Sequence, residues 1–156
     1  PDLLETRILI TADATARQGD VSAAVETLSG LRSPAAFETR ATILERAQDW
    51  QSAKHVLMEL VALTVPPTGE LEDRQKRTLL RLATAAARGD DDTLLATLGS
   101  REDARMGNGP VADMFRLLTV DPVRGSGDLK RAKQEIGLVR ALPAGLRALQ
   151  AQSATP

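Results

Sequence analysis

The stretch ARQGDVSAAVETL, residues 16–28, contains the end of one helix, a two-residue stop and the start of a second helix. Gly19 can end the first helix because glycine adopts the left-handed backbone conformation without a steric penalty. Asp20 can cap the second helix, since its carboxylate accepts a hydrogen bond from a backbone N–H of the first turn. The stretch therefore predicts two helices joined at a tight corner, the second with an apolar face of Val21, Ala24, Val25 and Leu28.

The same corner occurs three more times along the chain. The related stretches are AQDWQSAKHVLMEL at 47–60, ARGDDDTLLATL at 87–98 and GSGDLKRAKQEIGL at 125–138. The four turns align at Gly19-Asp20, Gln48-Asp49, Gly89-Asp90 and Gly127-Asp128. The position after the aspartate is Val21, Trp50, Asp91 and Leu129, and the position four residues after it is Ala24, Ala53, Leu94 and Ala132. Repeated helix pairs predict a stack, because each pair has two apolar faces and covers the second by packing on a neighbour.

The other helix boundaries follow from caps and loops. Ser33 is the predicted cap of a third helix with Pro34 in its first turn, where the missing N–H costs nothing. The paired prolines of VPPTGE at 65–70 exclude helix, and Thr68 is the predicted cap of a fifth helix that begins near residue 69. MGNGP at 106–110 and DPVRGSG at 121–127 predict two further loops.

Composition and these boundaries together predict an all-α protein. Alanine and leucine are frequent, aromatic residues make up 2% of the chain, and no stretch alternates with a period of two. About eight helices are expected in stacked antiparallel pairs within a single domain over residues 1–149, followed by a flexible tail over 150–156. The residues expected to face inward include Leu4, Ile8, Thr11 and Ala12 of the first helix and Trp50 of the fourth.

The aligned turns resemble those of the tetratricopeptide repeat family, whose corner has the pattern Gly-Asp-hydrophobic-x-x-Ala. The resemblance covers residues 3–142 and implies a TPR-like α-solenoid, in which the small residue lets the two helices of a repeat approach closely. The aligned aspartates are separated by 29, 41 and 38 residues, whereas the family period is 34. A generic helical solenoid with unequal pairs is therefore the alternative.

Charge and residue content exclude several functional classes. The net charge of −1 provides no overall field for nucleic acid or an anionic membrane, and the chain has no cysteine for a disulfide, a thiolate zinc site or a cysteine nucleophile. No apolar run has the roughly 18 residues of a membrane span. Frequent alanine, and arginine in preference to lysine, indicate a GC-rich bacterial genome. A soluble protein of the cytoplasm or the periplasm is expected.

Three local patterns suggest chemistry, and each has a structural interpretation that we prefer. The carboxylates of GDDD at 89–92 suit a hard cation, but helix capping explains them without a metal. His55, the one histidine, has no nucleophile arranged beside it, and Glu59 offers a surface pair at i+4. The glycine-rich loops at 106–110 and 125–128 lack the lysine-serine or lysine-threonine of a P-loop. We therefore expect no catalytic residue, no metal and no cofactor.

The sequence favours a non-enzymatic interaction module that binds a peptide or a partner helix. By the resemblance, the first helix of each pair would line the concave side, and the candidate groove residues are Arg7, Thr11, Arg40, Gln75 and Arg81. The alternative is an assembly or capping segment of a longer solenoid that self-associates. It is suggested by Pro1, which indicates a mature form or an excised piece, and by net charges of −4 over residues 1–120 and +3 over residues 121–156.

Overall fold

The computed structural model describes residues 3–119, and these residues contain seven helices and no strand. The helices are α1 (Leu3–Arg17), α2 (Val21–Thr27), α3 (Pro34–Arg46), α4 (Trp50–Thr64), α5 (Asp73–Arg88), α6 (Asp92–Met106) and α7 (Pro110–Thr119). The predicted all-α fold is confirmed for this part of the chain. The predicted eighth helix, with its signature residues Gly127, Asp128 and Ala132, and the predicted tail at 150–156 lie outside the described residues.

Neighbouring helices pack against each other in chain order. The main helix contacts join α1 with α2 and α3, α2 with α3, α3 with α4, α4 with α5, α5 with α6 and α7, and α6 with α7. These contacts bury two apolar clusters. The smaller contains Ala12, Ala24, Leu28 and Ile43, and the larger extends from Phe37 and Ala41 of α3 to Phe115 of α7. Helix α3 therefore contributes side chains to both clusters.

The first two corners form as the sequence predicts. Gly19 has a left-handed φ of 100°, and Gln48 takes the same role at the second corner with φ of 60°. The capping oxygens accept backbone N–H bonds of 3.0 to 3.1 Å, Asp20 from Ala23, Asp49 from Ser52 and, before α3, Ser33 from Ala36. Ala24 and Ala53 are fully buried four residues after the capping aspartate.

The third corner is displaced by one residue from the predicted register. Gly89 has φ of −95°, and Asp90 is the left-handed residue with φ of 54°. Asp91, not Asp90, caps α6 by accepting a bond of 3.0 Å from the N–H of Leu94. The residue equivalent to Ala24 is consequently Leu95, which is 4% exposed, rather than Leu94.

A contact with α4 explains this register. The second oxygen of Asp91 lies 2.7 Å from Nζ of Lys54, whose side chain is almost completely buried. The Gln51 side chain donates to the carbonyl of Gly89 at 3.1 Å, and a Cβ at Gly89 would lie 3.1 Å from Gln51 Nε2. Gly89 is therefore suited to the close approach of α4, and not to a left-handed turn.

Substitution of Asp91 by asparagine tests the Lys54 pair with little effect on capping, since asparagine is as good an N-cap as aspartate. The hydrogen bond from Lys54, then that from the Leu94 N–H, lowers the pKa of Asp91 below its ordinary value. A lowered carboxyl pKa adds stability above the unfolded-state value of about 4, and this stability is lost as the pH falls through the folded-state pKa. We expect Asp91→Asn to cost about 1 kcal/mol at pH 7, a figure that includes screening by water.

The measurement is urea unfolding of both proteins at pH 7 and at pH 3. The difference in the free energy of unfolding between the wild type and Asp91→Asn should be smaller at pH 3 than at pH 7. Asp90→Asn is the matched control, because Asp90 is exposed and is not the capping residue. An Asp91→Asn cost that is the same at both pH values would contradict the assignment of the Lys54 pair.

Two further expectations are corrected by the packing. Helix α5 begins at Asp73 with Glu72 as its cap, not at Thr68, and the backbone N–H of Glu72 donates to Gln75 Oε1 at 2.8 Å. Leu4 is 63% exposed and Thr11 is exposed, because α1 has α2 and α3 on one side only. Trp50, by contrast, packs against the larger cluster as expected, although it is only partly buried, and the Arg88 guanidinium lies 5.5 Å from its ring centre.

Candidate functional site: an apolar groove between helices α4 and α6

The five groove residues predicted from the sequence are placed in different environments. Arg7 and Thr11 are exposed on α1, where the Thr11 hydroxyl donates to the Arg7 carbonyl at 2.8 Å. Arg40 is buried, and its Nη2 donates to the carbonyls of Leu28 and Leu31 at the end of α2. Gln75 binds the backbone of Glu72, as above, and its Nε2 donates to the Thr64 carbonyl at 2.9 Å. Arg40 and Gln75 thus support the fold.

Arg81 joins α5 to α3 through a set of polar contacts. Its guanidinium lies 2.8 Å from carboxylate oxygens of both Glu38 and Glu45 and 3.1 Å from the Thr42 hydroxyl. Burial lowers the pKa of Arg81, but the hydrogen bonds and charges of Glu45 and Glu38 outweigh it, so the pKa is raised above its ordinary value. Arg81 is therefore partly buried and held in place by two carboxylates.

Polar contacts also connect α3 to α1. Arg46 lies 3.1 Å from Asp13, and Ser33 donates to the Glu5 carboxylate. The Arg46 hydrogen bond, and then that from Arg17, lowers the pKa of Asp13 despite the opposing effect of burial. Helices α1, α3 and α5 are consequently linked by ion pairs, Arg46 with Asp13 and Arg81 with Glu38 and Glu45.

A more apolar concavity lies between α4 and α6. It has a volume of about 350 Å³, and α5 packs against both flanking helices. We call it the α4–α6 groove. Its lining residues are Met58, Val61, Ala62, Val65, Pro66, Pro67, Leu79, Leu82, Leu94, Thr97, Leu98, Arg101 and Glu102. Met58 is 45% exposed, so the groove presents apolar surface to solvent.

A buried acid holds one wall of the α4–α6 groove in place. Glu102, 4% exposed, forms an ion pair with Arg105. Arg105 in turn donates to the carbonyl of Pro66 at 2.8 Å and to that of Gly69 at 2.9 Å. These bonds fix the loop after α4, whose prolines are already stiff because their rings restrict φ. The wall is thus preorganised, which lowers the entropy lost when a ligand binds.

One positive charge stands at the edge of the groove. The Arg101 side chain is 66% exposed, and its closest acidic oxygen is 3.7 Å away on Glu102. Glu102 is already paired with Arg105. Arg101 is therefore the charged group of the groove that remains most accessible to an incoming acid.

Sequence reasoning did not identify this groove. Leu94 was considered only as an aligned position of the third corner, and Leu98 is nearly buried. The groove exists because two separate helices, α4 and α6, leave a gap over the same surface of α5, which no local pattern encodes. Methionine at position 58 was the available signal, since an unbranched, adaptable side chain is frequent on binding surfaces.

Within the described part of the chain, the other patterns from the sequence do not assemble into a chemical centre, and the loop at 125–128 lies outside that part. Within residues 3–119, no three His, Asp or Glu side chains are placed to hold a metal ion together. Of the GDDD carboxylates, Asp91 caps α6 and pairs with Lys54. His55 is exposed. The loop at 106–110 borders a concavity of about 320 Å³ with Asp73, Lys76 and Arg77 at its sides. In the same part of the chain, no helix is both long and apolar enough to cross a membrane.

The described residues thus define an all-helical protein with an open apolar groove. Comparisons with protein-family models, with curated proteins and with solved structures found no match to this chain.

Proposed function

We propose that this protein is a non-enzymatic interaction module, and that its α4–α6 groove receives an apolar segment of a partner protein. The observation that supports this most is the groove itself, an apolar concavity of about 350 Å³ with a partly exposed methionine and a fixed proline-containing wall. Preformed apolar concavities with few polar groups are the usual form of binding sites. We further propose that the helices form a TPR-like stack. This is supported by the two corners that an aspartate caps, each with a buried alanine four residues after the aspartate.

The charge at the rim indicates the partner's chemistry. A segment with apolar residues at helical spacing fits the apolar lining, as amphipathic helices do in other grooves. Arg101 favours an acidic residue at the edge of that segment, because its ion pair with Glu102 is long and its side chain is exposed. This surface differs from the groove along the first helices that the sequence predicted. There, Arg81 is already hydrogen-bonded to the polar side chains of α3.

The test is selection of phage-displayed 16-residue peptides on the full chain, followed by affinity measurements with the selected peptides. Met58→Glu should weaken binding at least tenfold, about 1.4 kcal/mol, because it places a carboxylate in the apolar lining. Leu63→Glu is the matched control. Leu63 is on the same helix and is 54% exposed, but it does not line the groove.

Two outcomes decide the proposal. Selected peptides rich in leucine or aromatic residues, bound tightly by Leu63→Glu and weakly by Met58→Glu, would support it. Equal affinity for the two variants would overturn it. Both variants should first show the wild-type helical circular dichroism and unfolding midpoint, so that a binding loss is not a folding loss.

The alternative function, self-association as part of a longer assembly, has one supporting observation. Leu3, Leu4 and Ile10 of α1 are 82, 63 and 65% exposed, so one side of the described stack ends in apolar side chains. Terminal helices of repeat stacks usually carry polar outer faces. Light scattering over a concentration series tests this alternative, and a mass that stays monomeric at millimolar concentration would exclude it.

A further inference from the structure

Arg40 carries a buried charge that has no acidic partner among residues 3–119. The residue is 9% exposed, and its two hydrogen bonds both run from Nη2 to the carbonyls of Leu28 and Leu31. Its Nε is buried without an acceptor. Burial, and then the nearby charge of Arg32, lowers the pKa of Arg40 from its ordinary value. A buried guanidinium is normally paired with a carboxylate, since the loss of hydration is otherwise poorly compensated.

A small pocket lies beside this charge. It has a volume of about 240 Å³, and we call it the Arg40 pocket. Arg32, Arg40 and His55 supply its basic groups, Phe37, Val56 and Met58 its apolar surface, and Glu59 its one carboxylate. Within residues 3–119, Glu59 forms no ion pair with these basic groups, so it does not neutralise Arg40.

We propose that the Arg40 pocket binds a carboxylate carried on a small apolar group. The anion would compensate the buried Arg40 charge and the exposed Arg32 charge, and the apolar part would cover Phe37, Val56 and Met58. Arg40 already lies over the Phe37 ring at 5.3 Å, which holds the guanidinium plane in position. The pocket is smaller than those that enclose drug-sized ligands, so a single acidic side chain or a small free acid is the matching size.

The pocket adjoins the α4–α6 groove, because Met58 lines both. A carboxylate could therefore arrive as a free acid or on a chain that also lies in the groove. The inference itself does not depend on the groove, since its first test uses small acids alone.

The test is an NMR titration of the full chain with phenylacetate and with its neutral counterpart phenylacetamide, at low salt. We expect saturable shifts for the acid at Phe37, Val56 and Met58, and at least tenfold weaker binding of the amide. A second titration uses an acetylated, amidated tetrapeptide with one glutamate, and its glutamine counterpart. Preference for the glutamate peptide over phenylacetate assigns the source to a partner chain, and the reverse preference assigns it to a free acid. Equal response to acids and amides, or no saturable response, would overturn the proposal.

Substitutions distinguish a role of Arg40 in acid binding from its role in capping the end of α2. Arg32→Ala changes an exposed side chain and should weaken acid binding at least threefold without altering the unfolding midpoint. Arg77→Ala removes another exposed arginine, which does not line the Arg40 pocket, and is the control that should bind like wild type. Arg40→Met removes the charge that the acid needs. If Arg40→Met folds and still binds phenylacetate like wild type, Arg40 serves the end of α2 alone and the proposal is wrong.

Discussion

Replacement of Glu102 by alanine is expected to lower the free energy of unfolding by about 3 to 4 kcal/mol. The Glu102 side chain is 5% exposed and pairs with Arg105, whose own side chain is 15% exposed. Removal of one member of a buried pair leaves the other charge desolvated and unpaired, which costs more than the pair itself contributed. Arg105 would also lose the carboxylate that aims it at the carbonyls of Pro66 and Gly69.

The adjacent acid provides a matched control. Asp103 pairs with Arg116, but its side chain is 44% exposed, so Asp103→Ala should cost less than about 1 kcal/mol. Urea unfolding followed by circular dichroism measures both values. A double-mutant cycle with Arg105→Met should show a coupling above about 1 kcal/mol between positions 102 and 105. Similar losses for Glu102→Ala and Asp103→Ala would show that the burial of Glu102 has no energetic consequence.

The loss of Glu102 should also affect the loop that forms one wall of the α4–α6 groove. Hydrogen exchange at the amides of residues 68–70 is expected to accelerate in Glu102→Ala, because the loop after α4 is held to α6 by Arg105. Peptides that bind the α4–α6 groove should then bind more weakly, since the wall that they contact is no longer preorganised. Asp103→Ala should change neither quantity.

Replacement of Arg81 by alanine is expected to cost about 2 to 3 kcal/mol. The guanidinium lies between Glu38 and Glu45 and also donates to Thr42, so its removal leaves two partly buried carboxylates on the same side of α3. Arg81→Lys should recover only part of the loss, because a lysine ammonium cannot reproduce the planar set of donors.

Arg74 is the matched control for Arg81. It is on the same helix and approaches the same Glu38 carboxylate at 3.4 Å, but its side chain is 74% exposed. Arg74→Ala should therefore change the free energy of unfolding by less than about 0.5 kcal/mol. A cost for Arg74→Ala that equals the cost for Arg81→Ala would contradict the view that α3 and α5 are joined chiefly through Arg81.

The Arg81 contacts also bear on the function. The first helices were expected to offer a groove for a partner, with Arg81 among its contact residues. In the structure, Arg81 is engaged with α3, and polar contacts link α1 to α3 as well. The open apolar groove lies between α4 and α6, and our proposal therefore assigns partner binding to that groove.

Local chemistry explains how much of the fold was predictable. The predicted stop forms at Gly19, and the predicted caps form at Asp20, Ser33 and Asp49. Pro34 lies in the first turn of α3, as predicted. Each of these residues acts on backbone atoms only a few residues away. The glycine-rich loop at 106–110 likewise separates α6 from α7. Such signals need no distant partner, so the sequence alone determined the helical character of residues 3–119 and most of the helix boundaries there.

Contacts between distant residues decided the rest. The register of the third corner depends on Lys54, 37 residues before Asp91. Gly99, which has no role in the local pattern, allows α6 to approach Thr119, where a Cβ would lie 3.1 Å from the threonine Cβ. The roles of Arg40, Gln75 and Arg81 likewise depend on carbonyls and carboxylates from other elements.

The sequence by itself determined where helices begin and end, because caps and turns are satisfied by neighbouring atoms. Only the tertiary structure decided which arginines form ion pairs and which apolar surface remains exposed to solvent. These outcomes depend on how separate helices pack in space. The groove between α4 and α6 is the clearest case, since its lining is drawn from three helices and a loop.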